Sequence, residues 1–248
     1  MKTRMVLLLL CLLLGEQSVY GQRLFRVISY NVENLFDTQD NPLAEDEEFL
    51  PQGQRHWTPK RYYHKLQQIA KVITAAGEWT EPALIGLCEV ENDSVLYHLC
   101  HRTPLRTQGY RYVCSDTDDP RGIRVALLYQ RDQFALEGEE SLRIPFRGGR
   151  KRSRPLLHVW GRVVTGDTLD VFVCHFPSRS GGQLESEPFR MDAARHLRRT
   201  CDSLYRLRLH PHLLVMGDLN DTPTDRSLVE GLKSQPYTPD SNPQISDN

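Results

Sequence analysis

The sequence predicts a mixed α/β sandwich, and three observations carry that prediction. Apolar runs that read as buried strands alternate with segments of helical periodicity. Some of these strands follow one another directly, which argues against a purely parallel, doubly wound sheet. Four short polar strings also follow or end apolar runs, in a fixed order along the chain. They are Ser29-Tyr30-Asn31-Val32-Glu33-Asn34, Leu87-Cys88-Glu89-Val90, Val173-Cys174-His175-Phe176 and Met216-Gly217-Asp218-Leu219-Asn220.

Residues 1–21 read as a secretory signal. Lys2 and Arg4 precede the apolar run Met5 to Leu14, which is too short to span a bilayer, and Val19-Tyr20-Gly21 fits a cleavage site. An uncleaved anchor is the alternative. Cleavage would leave residues 22–248 as one domain, exported to the periplasm or the extracellular space, with no further segment able to cross a membrane and a monomer expected.

The elements follow in order. Leu24 to Tyr30 reads as a strand and the acidic stretch from Asp37 to His56 as a loop. Thr58-Pro59 opens a helix, because a threonine cap followed by proline suits a first turn. Tyr62, Leu66, Ile69, Ile73 and Ala76 recur at helical spacing, and Gly77 closes the helix. Ala83 to Cys88 is a continuous apolar strand, and Asn92 caps a short helix running to Leu99. Tyr110 to Cys114 and Val125 to Tyr129 are further strands. Phe134 to Ile144 and Leu156 to Val164 read as a pair around the basic loop Arg147 to Arg154. Gly166-Asp167 turns into the strand Leu169 to Phe176. A long helix is predicted from Pro188 to about Leu207, a strand from Leu213 to Met216, and a last helix from Thr222-Pro223. Past Lys233 the chain turns polar and reads as disorder.

Composition excludes some functions. The formal charge is −1, or −2 once the signal is removed, so no global basic field marks a nucleic-acid binder. A divalent cation can still supply positive charge locally. Removal of Cys11 with the signal leaves five irregularly spaced cysteines, Cys88, Cys100, Cys114, Cys174 and Cys201, which read as small buried thiols rather than a disulfide framework.

The strings suggest chemistry. Glu89 ends the most apolar strand, where a carboxylate needs a partner; a hard cation such as Mg²⁺ fits, and a surface acid ahead of Asn92 fits equally well. Asn31 can offer an amide oxygen to a metal or N–H to phosphate, or simply end a strand in a turn, and Glu33 and Asn34 are weaker candidates of the same kind. Asp218 and Asn220 are two apart, so on a strand both face one reacting centre, where the acid can deprotonate a water and the amide can hold it. His175 can bond a phosphoryl oxygen, although a lone histidine on an apolar strand is also an ordinary core residue. Ser178 and Arg179 open a loop that can present N–H groups and a guanidinium to phosphate. The Arg147 to Arg154 loop is either a solvated hairpin tip or a clamp on a polyanion.

Together the four strings resemble the endonuclease/exonuclease/phosphatase superfamily, which includes deoxyribonucleases, apurinic endonucleases, inositol polyphosphate 5-phosphatases and neutral sphingomyelinases. The resemblance runs from about Phe25 to Leu232 and is nearest to exported bacterial members. It implies a two-sheet, four-layer α/β sandwich and a Mg²⁺- or Mn²⁺-dependent hydrolase of nucleic acid or another phosphodiester. Asn31 and Glu89 fall on the family's metal-binding positions, and His175, Asp218 and Asn220 on its catalytic ones. The family's last strands, with a terminal Ser-Asp-His motif, have no counterpart here, since Ser246-Asp247-Asn248 lacks the strands that precede that motif; a truncated product is therefore expected. A phosphatase or phospholipase of the same superfamily, or an inactive remnant, are the alternative readings.

Overall fold

The computed structural model describes residues 24–149 and 153–236. The signal segment 1–21, residues 150–152 of the basic loop, and residues 237–248 of the tail read as disorder past Lys233, with the Ser246-Asp247-Asn248 terminus, lie outside the described residues.

The described residues form two four-stranded sheets. In the first, β1 (Val27–Leu35) runs parallel to β2 (Leu84–Val90), which pairs antiparallel with β4 (Arg124–Tyr129), and β3 (Arg111–Cys114) forms the outer edge. In the second, β5 (Phe134–Leu142), β6 (Leu156–Val163) and β7 (Thr168–His175) are antiparallel neighbours, and β8 (His212–Asp218) joins β7 in parallel. Each sheet thus holds one parallel pair, β1–β2 and β7–β8, which helical crossovers make possible.

Period-2 alternation decides what fills the space between the sheets. Leu84, Cys88, Val125 and Leu127 of the first sheet pack against Leu157, Val159, Val171, Val173 and Met216 of the second. The opposite faces are equally apolar because helices cover them. Helices α1 (Pro59–Gly77) and α2 (Asp93–His101) bury Leu66, Ile69, Ile73, Leu96 and Leu99 against Ile85, Leu87 and Leu128. Helix α3 (Gln183–Leu207) buries Ala193, Ala194 and Leu197 against Leu156, Phe172 and Cys174. Helix, sheet, sheet and helix stack as four layers, as expected. The five cysteines are free thiols, and Cys88 Sγ lies 3.3 Å from the Cys174 carbonyl across the inter-sheet space.

The larger differences from the sequence reading have local causes. Strand β1 continues through Asn31 to Leu35, because its later residues still pair with β2 after an irregularity. Helix α3 begins five residues before Pro188 and carries that proline inside its N-terminal part. The Ser186 hydroxyl bonds the Gly182 carbonyl at 2.5 Å there, supplementing the first turn. Thr222-Pro223 forms a turn closed by Asp225, whose carboxylate accepts from the Thr222 N–H (2.6 Å) and hydroxyl (2.8 Å). The last helix starts only at Ser227, as a π-helical segment to Leu232. The acidic loop contains a 3₁₀ turn, Glu47–Phe49, anchored by the buried Phe49.

Candidate active site

The parallel pairs β1–β2 and β7–β8 end at the same rim of the sandwich. The Ser29 hydroxyl accepts the Gly217 N–H at 2.9 Å, which ties β1 to β8 across the sheets. Strand carboxyl ends are where α/β folds collect ligand-facing side chains.

Backbone irregularities aim the side chains. The register of β2 breaks between Cys88 and Val90, and Glu89 adopts φ 65°. A bulged residue of this kind turns its side chain out of the regular pleat. Glu33 and Asn34 share φ 55° where β1 breaks register, and the Asn34 N–H donates to Glu89 Oε2 at 2.9 Å. Left-handed backbone at a glutamate is uncommon and costs about 1–3 kcal/mol, a strain that persists where neighbouring structure imposes it.

Asn31 sits at the centre of the site. Its Nδ2 donates to Glu89 Oε1 at 3.1 Å and to Asp218 Oδ2 at 3.0 Å. Residues 58 and 187 positions away along the chain thus meet on one amide. Without a cation, the Asn31 amide presents its nitrogen, not its oxygen, to the two carboxylates. Oδ1 points away and accepts the Glu33 N–H at 2.9 Å, so in this conformation Asn31 orients the two carboxylates. An oxygen toward a metal requires the amide to turn over, since two carboxylates with no cation between them demand donors.

His175 ends β7 and is buried, with Nε2 3.7 Å from Glu89 Oε1 and no hydrogen-bond partner on Nδ1 among the described residues. Burial, and then the Arg154 guanidinium, push its pKa well below the usual imidazole value. That shift favours the neutral ring over an imidazolium paired with Glu89. Asn220 lies beyond the end of β8 with φ 54°, so strand periodicity does not govern it. Its N–H donates to Asp218 Oδ1 at 2.8 Å, and its Nδ2 donates to the Phe176 carbonyl at 2.9 Å. Asn220 reaches the centre by fixing Asp218, not by facing it from the same strand side.

The basic loop needs a sharper correction. Arg154 does not belong to an exposed patch; it is buried beneath the site. Its Nη1 meets Asp119 Oδ2 at 2.7 Å, its Nε donates to the His175 carbonyl at 3.1 Å, and its Nη2 donates to the Phe176 carbonyl at 2.8 Å. Sequence reasoning missed this role. The available signal was Arg154-Pro155 abutting the apolar Leu156-Leu157, since an arginine beside a buried strand requires a buried acid. Arg147 pairs with Asp192 at 3.1 Å.

Arg179 is likewise engaged by the protein. Its Nε donates to the Asn220 carbonyl at 2.8 Å, and its Nη2 meets Asp225 at 2.6 Å and Asp221 at 3.2 Å. The fully buried Arg190 pairs with Asp221 at 2.7 Å from below. As placed, Arg179 braces the Asp218–Asn220 turn, with its donors taken by protein acceptors. Ser178 is exposed at the rim, its hydroxyl 3.4 Å from the Ser180 N–H.

The donor set fits a hard divalent cation. Glu89 and Asp218 offer carboxylate oxygens at one point, and among the described residues no lysine or arginine forms an ion pair with either. Among the described residues no group of three or more histidine, cysteine, aspartate or glutamate side chains is arranged to hold a metal. A site of one or two carboxylates is still typical for Mg²⁺, which keeps its other positions for water and substrate phosphate.

Comparison with known proteins agrees with this architecture. The sequence profile of the Endonuclease/Exonuclease/phosphatase family matches residues 26–244. No curated protein is significantly similar in sequence. Among solved structures, TDP2 from Caenorhabditis elegans superposes with a TM-score of 0.55 at 15% identity, over 79% of this chain and 47% of that one. The human Nocturnin catalytic domain gives 0.54 at 18% identity, over 82% and 67% respectively. Bacteroides thetaiotaomicron mannosyl-6-phosphatase Bt3783 gives 0.58 at 19% identity, over 84% and 69%. At these identities the likeness concerns the fold, and the chain spans about half the length of the worm structure.

Proposed function

This chain belongs to the endonuclease/exonuclease/phosphatase family, a family of metal-dependent phosphoesterases and nucleases, and from that premise we propose that it hydrolyses phosphodiesters, with nucleic acid as substrate. The observation that carries the reading is the Glu89–Asn31–Asp218 bridge: two carboxylates from different sheets, held by one amide, with no described lysine or arginine in ion-pair contact with either.

Glu89 would hold the divalent cation, joined by Asn31 once its amide presents oxygen, with Mg²⁺ or Mn²⁺ as the metal. When bound, that ion supplies stabilisation of the charge developing on the phosphoryl oxygens. Asp218 orients a water and takes its proton as the water oxygen bonds to phosphorus and the opposite P–O bond breaks, the leaving oxygen departing with the bonding pair and taking a proton from solvent. Its carboxylate is aimed by the Asn31 amide and the Asn220 N–H, so the geometry exists before substrate arrives. His175, held neutral, offers one ring N–H to a phosphoryl oxygen and adds no competing positive charge beside the metal. Arg154 is a positioning residue that holds the His175 and Phe176 carbonyls. The leader reading supports an enzyme acting outside the cytoplasm. Among the described residues no helix is long and apolar enough to cross a membrane.

The test is hydrolysis of bis(p-nitrophenyl) phosphate with Mg²⁺ or Mn²⁺ against chelator, followed by a panel of DNA, RNA, phospholipid and sugar phosphates. Glu89→Gln should lower metal-dependent turnover by at least about a hundredfold and abolish Mg²⁺ binding in calorimetry. Unchanged Mg²⁺ affinity in that variant overturns the assignment of Glu89. Turnover restricted to phosphomonoesters or phospholipid moves the chain to the phosphatase or phospholipase branch.

A further inference from the structure

Beside the candidate site lies a recess of about 420 Å³ lined by Glu33, Asn34, Arg55, Arg61 and Lys65, with Phe49 and Trp57 forming its floor. It shares a wall with the site, because Asn34, which lines the recess, gives its N–H to Glu89 Oε2. Lys65 spans the same wall from α1, donating to the Glu33 carbonyl and, at 3.4 Å, to the Asn34 carbonyl. The chain from Asn31 to Asn34 spans at most about 11 Å, so recess and reacting centre are immediate neighbours.

The aromatic floor of the recess is fixed in place and carries the cations above it. Trp57 is buried, its ring N–H bonded to the Phe36 carbonyl at 2.9 Å, and Phe49 stacks on Phe36 with ring centres 4.1 Å apart. Over these rings lie the charged ends of Arg55 (4.8 Å from Phe49), Arg61 (5.4 Å from Trp57) and Lys65 (5.7 Å from Trp57). Arg61 also donates to the carbonyls of Arg55 and His56. The supporting loop is closed by backbone bonds from Trp57 N–H and Arg55 N–H to the carbonyls of Leu50 and Glu48, both 3.1 Å. Aromatic faces occupied by cations are not free to stack a base, so the recess presents charge rather than rings.

Charge balance in the recess points to an anion. Among the described residues Arg61 and Lys65 form no ion pair, and Arg55 is compensated only by the half-exposed Glu48 at 2.8 Å. The lining holds three cations against one carboxylate, that of Glu33; Glu33 and Glu89 act on Lys65 and Glu48 on Arg55, which leaves Arg61 as the cation with no acidic partner among the described residues. The reacting centre next door has the opposite sign.

We propose that this recess is a subsite for a second, non-scissile phosphate, so that the substrate carries at least two phosphate groups close together. The inference rests on the phosphodiester-hydrolase reading and adds the substrate feature it selects. Planar guanidiniums held over rings contact phosphate oxygens with little loss of side-chain freedom. Both a polynucleotide backbone and a small bisphosphorylated molecule present this chemistry.

The experiment uses the full chain with Arg61→Met, Arg61→Lys and Arg55→Ala, and Lys60→Ala as a control outside the recess. Binding of a labelled ten-residue oligodeoxynucleotide is followed by anisotropy across a salt series, with inorganic pyrophosphate as competitor. Turnover is compared between an oligonucleotide and the single-phosphate ester bis(p-nitrophenyl) phosphate. Arg61→Met should weaken oligonucleotide binding about tenfold and reduce the slope of log affinity against log salt by about one. Arg61→Lys should recover much of the loss, and Lys60→Ala should change neither quantity. The loss of kcat/KM on the oligonucleotide should exceed that on the single-phosphate ester about tenfold. Competition by pyrophosphate with weak oligonucleotide binding assigns the recess to a small bisphosphate; the reverse assigns it to a polymer. Equal losses on both esters, or an unaltered salt slope, overturn the proposal. Binding is read without turnover, so a chain that binds at the recess but hydrolyses nothing refutes the hydrolase reading alone.

Discussion

Replacing Arg154 by methionine removes the interior support of the candidate site. Arg154 and Asp119 are both about 94% buried at the side chain, and their ion pair measures 2.7 Å. Three further consequences follow from the same residue: the His175 and Phe176 carbonyls each lose a charge-assisted donor, and Asp119 is left as a buried charge partnered only by the more exposed Arg121 at 3.4 Å. Breaking a buried pair from one side costs about 3–5 kcal/mol, because the remaining charge is uncompensated. That is a large part of the total stability of a domain, and it corresponds to a fall in Tm of about 6–20 °C for a chain of this size. Replacing both partners, Arg154→Met with Asp119→Leu, should recover much of the loss, since an apolar pair leaves no orphaned charge. Thermal melting of the two single variants and the double variant forms the cycle. Activity adds a second readout: Phe176 also accepts from Asn220, so the single Arg154 variant should lower kcat more than it raises KM. A single variant that melts within about 1 kcal/mol of the parent, or a double variant as damaged as the sum of the singles, refutes the reasoning.

Asp119 predicts a pH dependence of its own. Burial raises its pKa, but Arg154, Arg121 and their hydrogen bonds outweigh that and hold it below the usual carboxylate value. Its stabilisation is present above the ordinary value of about 4 and is lost as pH falls through the lower folded value. The Tm gap between parent and Asp119→Asn should therefore narrow below about pH 4, and a constant gap from pH 6 to pH 3 would contradict the assignment. Gly217→Ala should cost at least about 2 kcal/mol, because Gly217 has φ 121° and an added Cβ would fall on the Cys174 carbonyl. A parent-like melt in that variant would show that the β7–β8 junction is not tight. Asn31→Asp replaces two donors with a third charge between Glu89 and Asp218, so it should melt lower than the parent without Mg²⁺ and regain part of the difference with excess Mg²⁺. Lack of any Mg²⁺ response would argue against a cation at this point.

What the sequence determined by itself is local. Apolar runs placed β2, β4, β6 and β7 to within two residues at either end, and the Thr58-Pro59 and Asn92 signals placed the starts of α1 and α2, because caps and apolar runs act over a few neighbouring residues. The four strings also named the residues that meet: Asn31, Glu89 and Asp218 share one set of hydrogen bonds, with His175 beside Glu89. Tertiary structure decided their orientation. Which end of the Asn31 amide faces the carboxylates depends on the Glu33 N–H and on a strand from the other sheet. Asn220 escapes strand periodicity because β8 ends at Asp218 and the turn takes a left-handed backbone. Arg154 read as part of a loop because its partners, Asp119 and the His175 and Phe176 carbonyls where β7 ends, are 21 to 35 residues away. The fate of a charge depends on what the fold brings next to it, and that is not written in the charge's own neighbourhood along the chain.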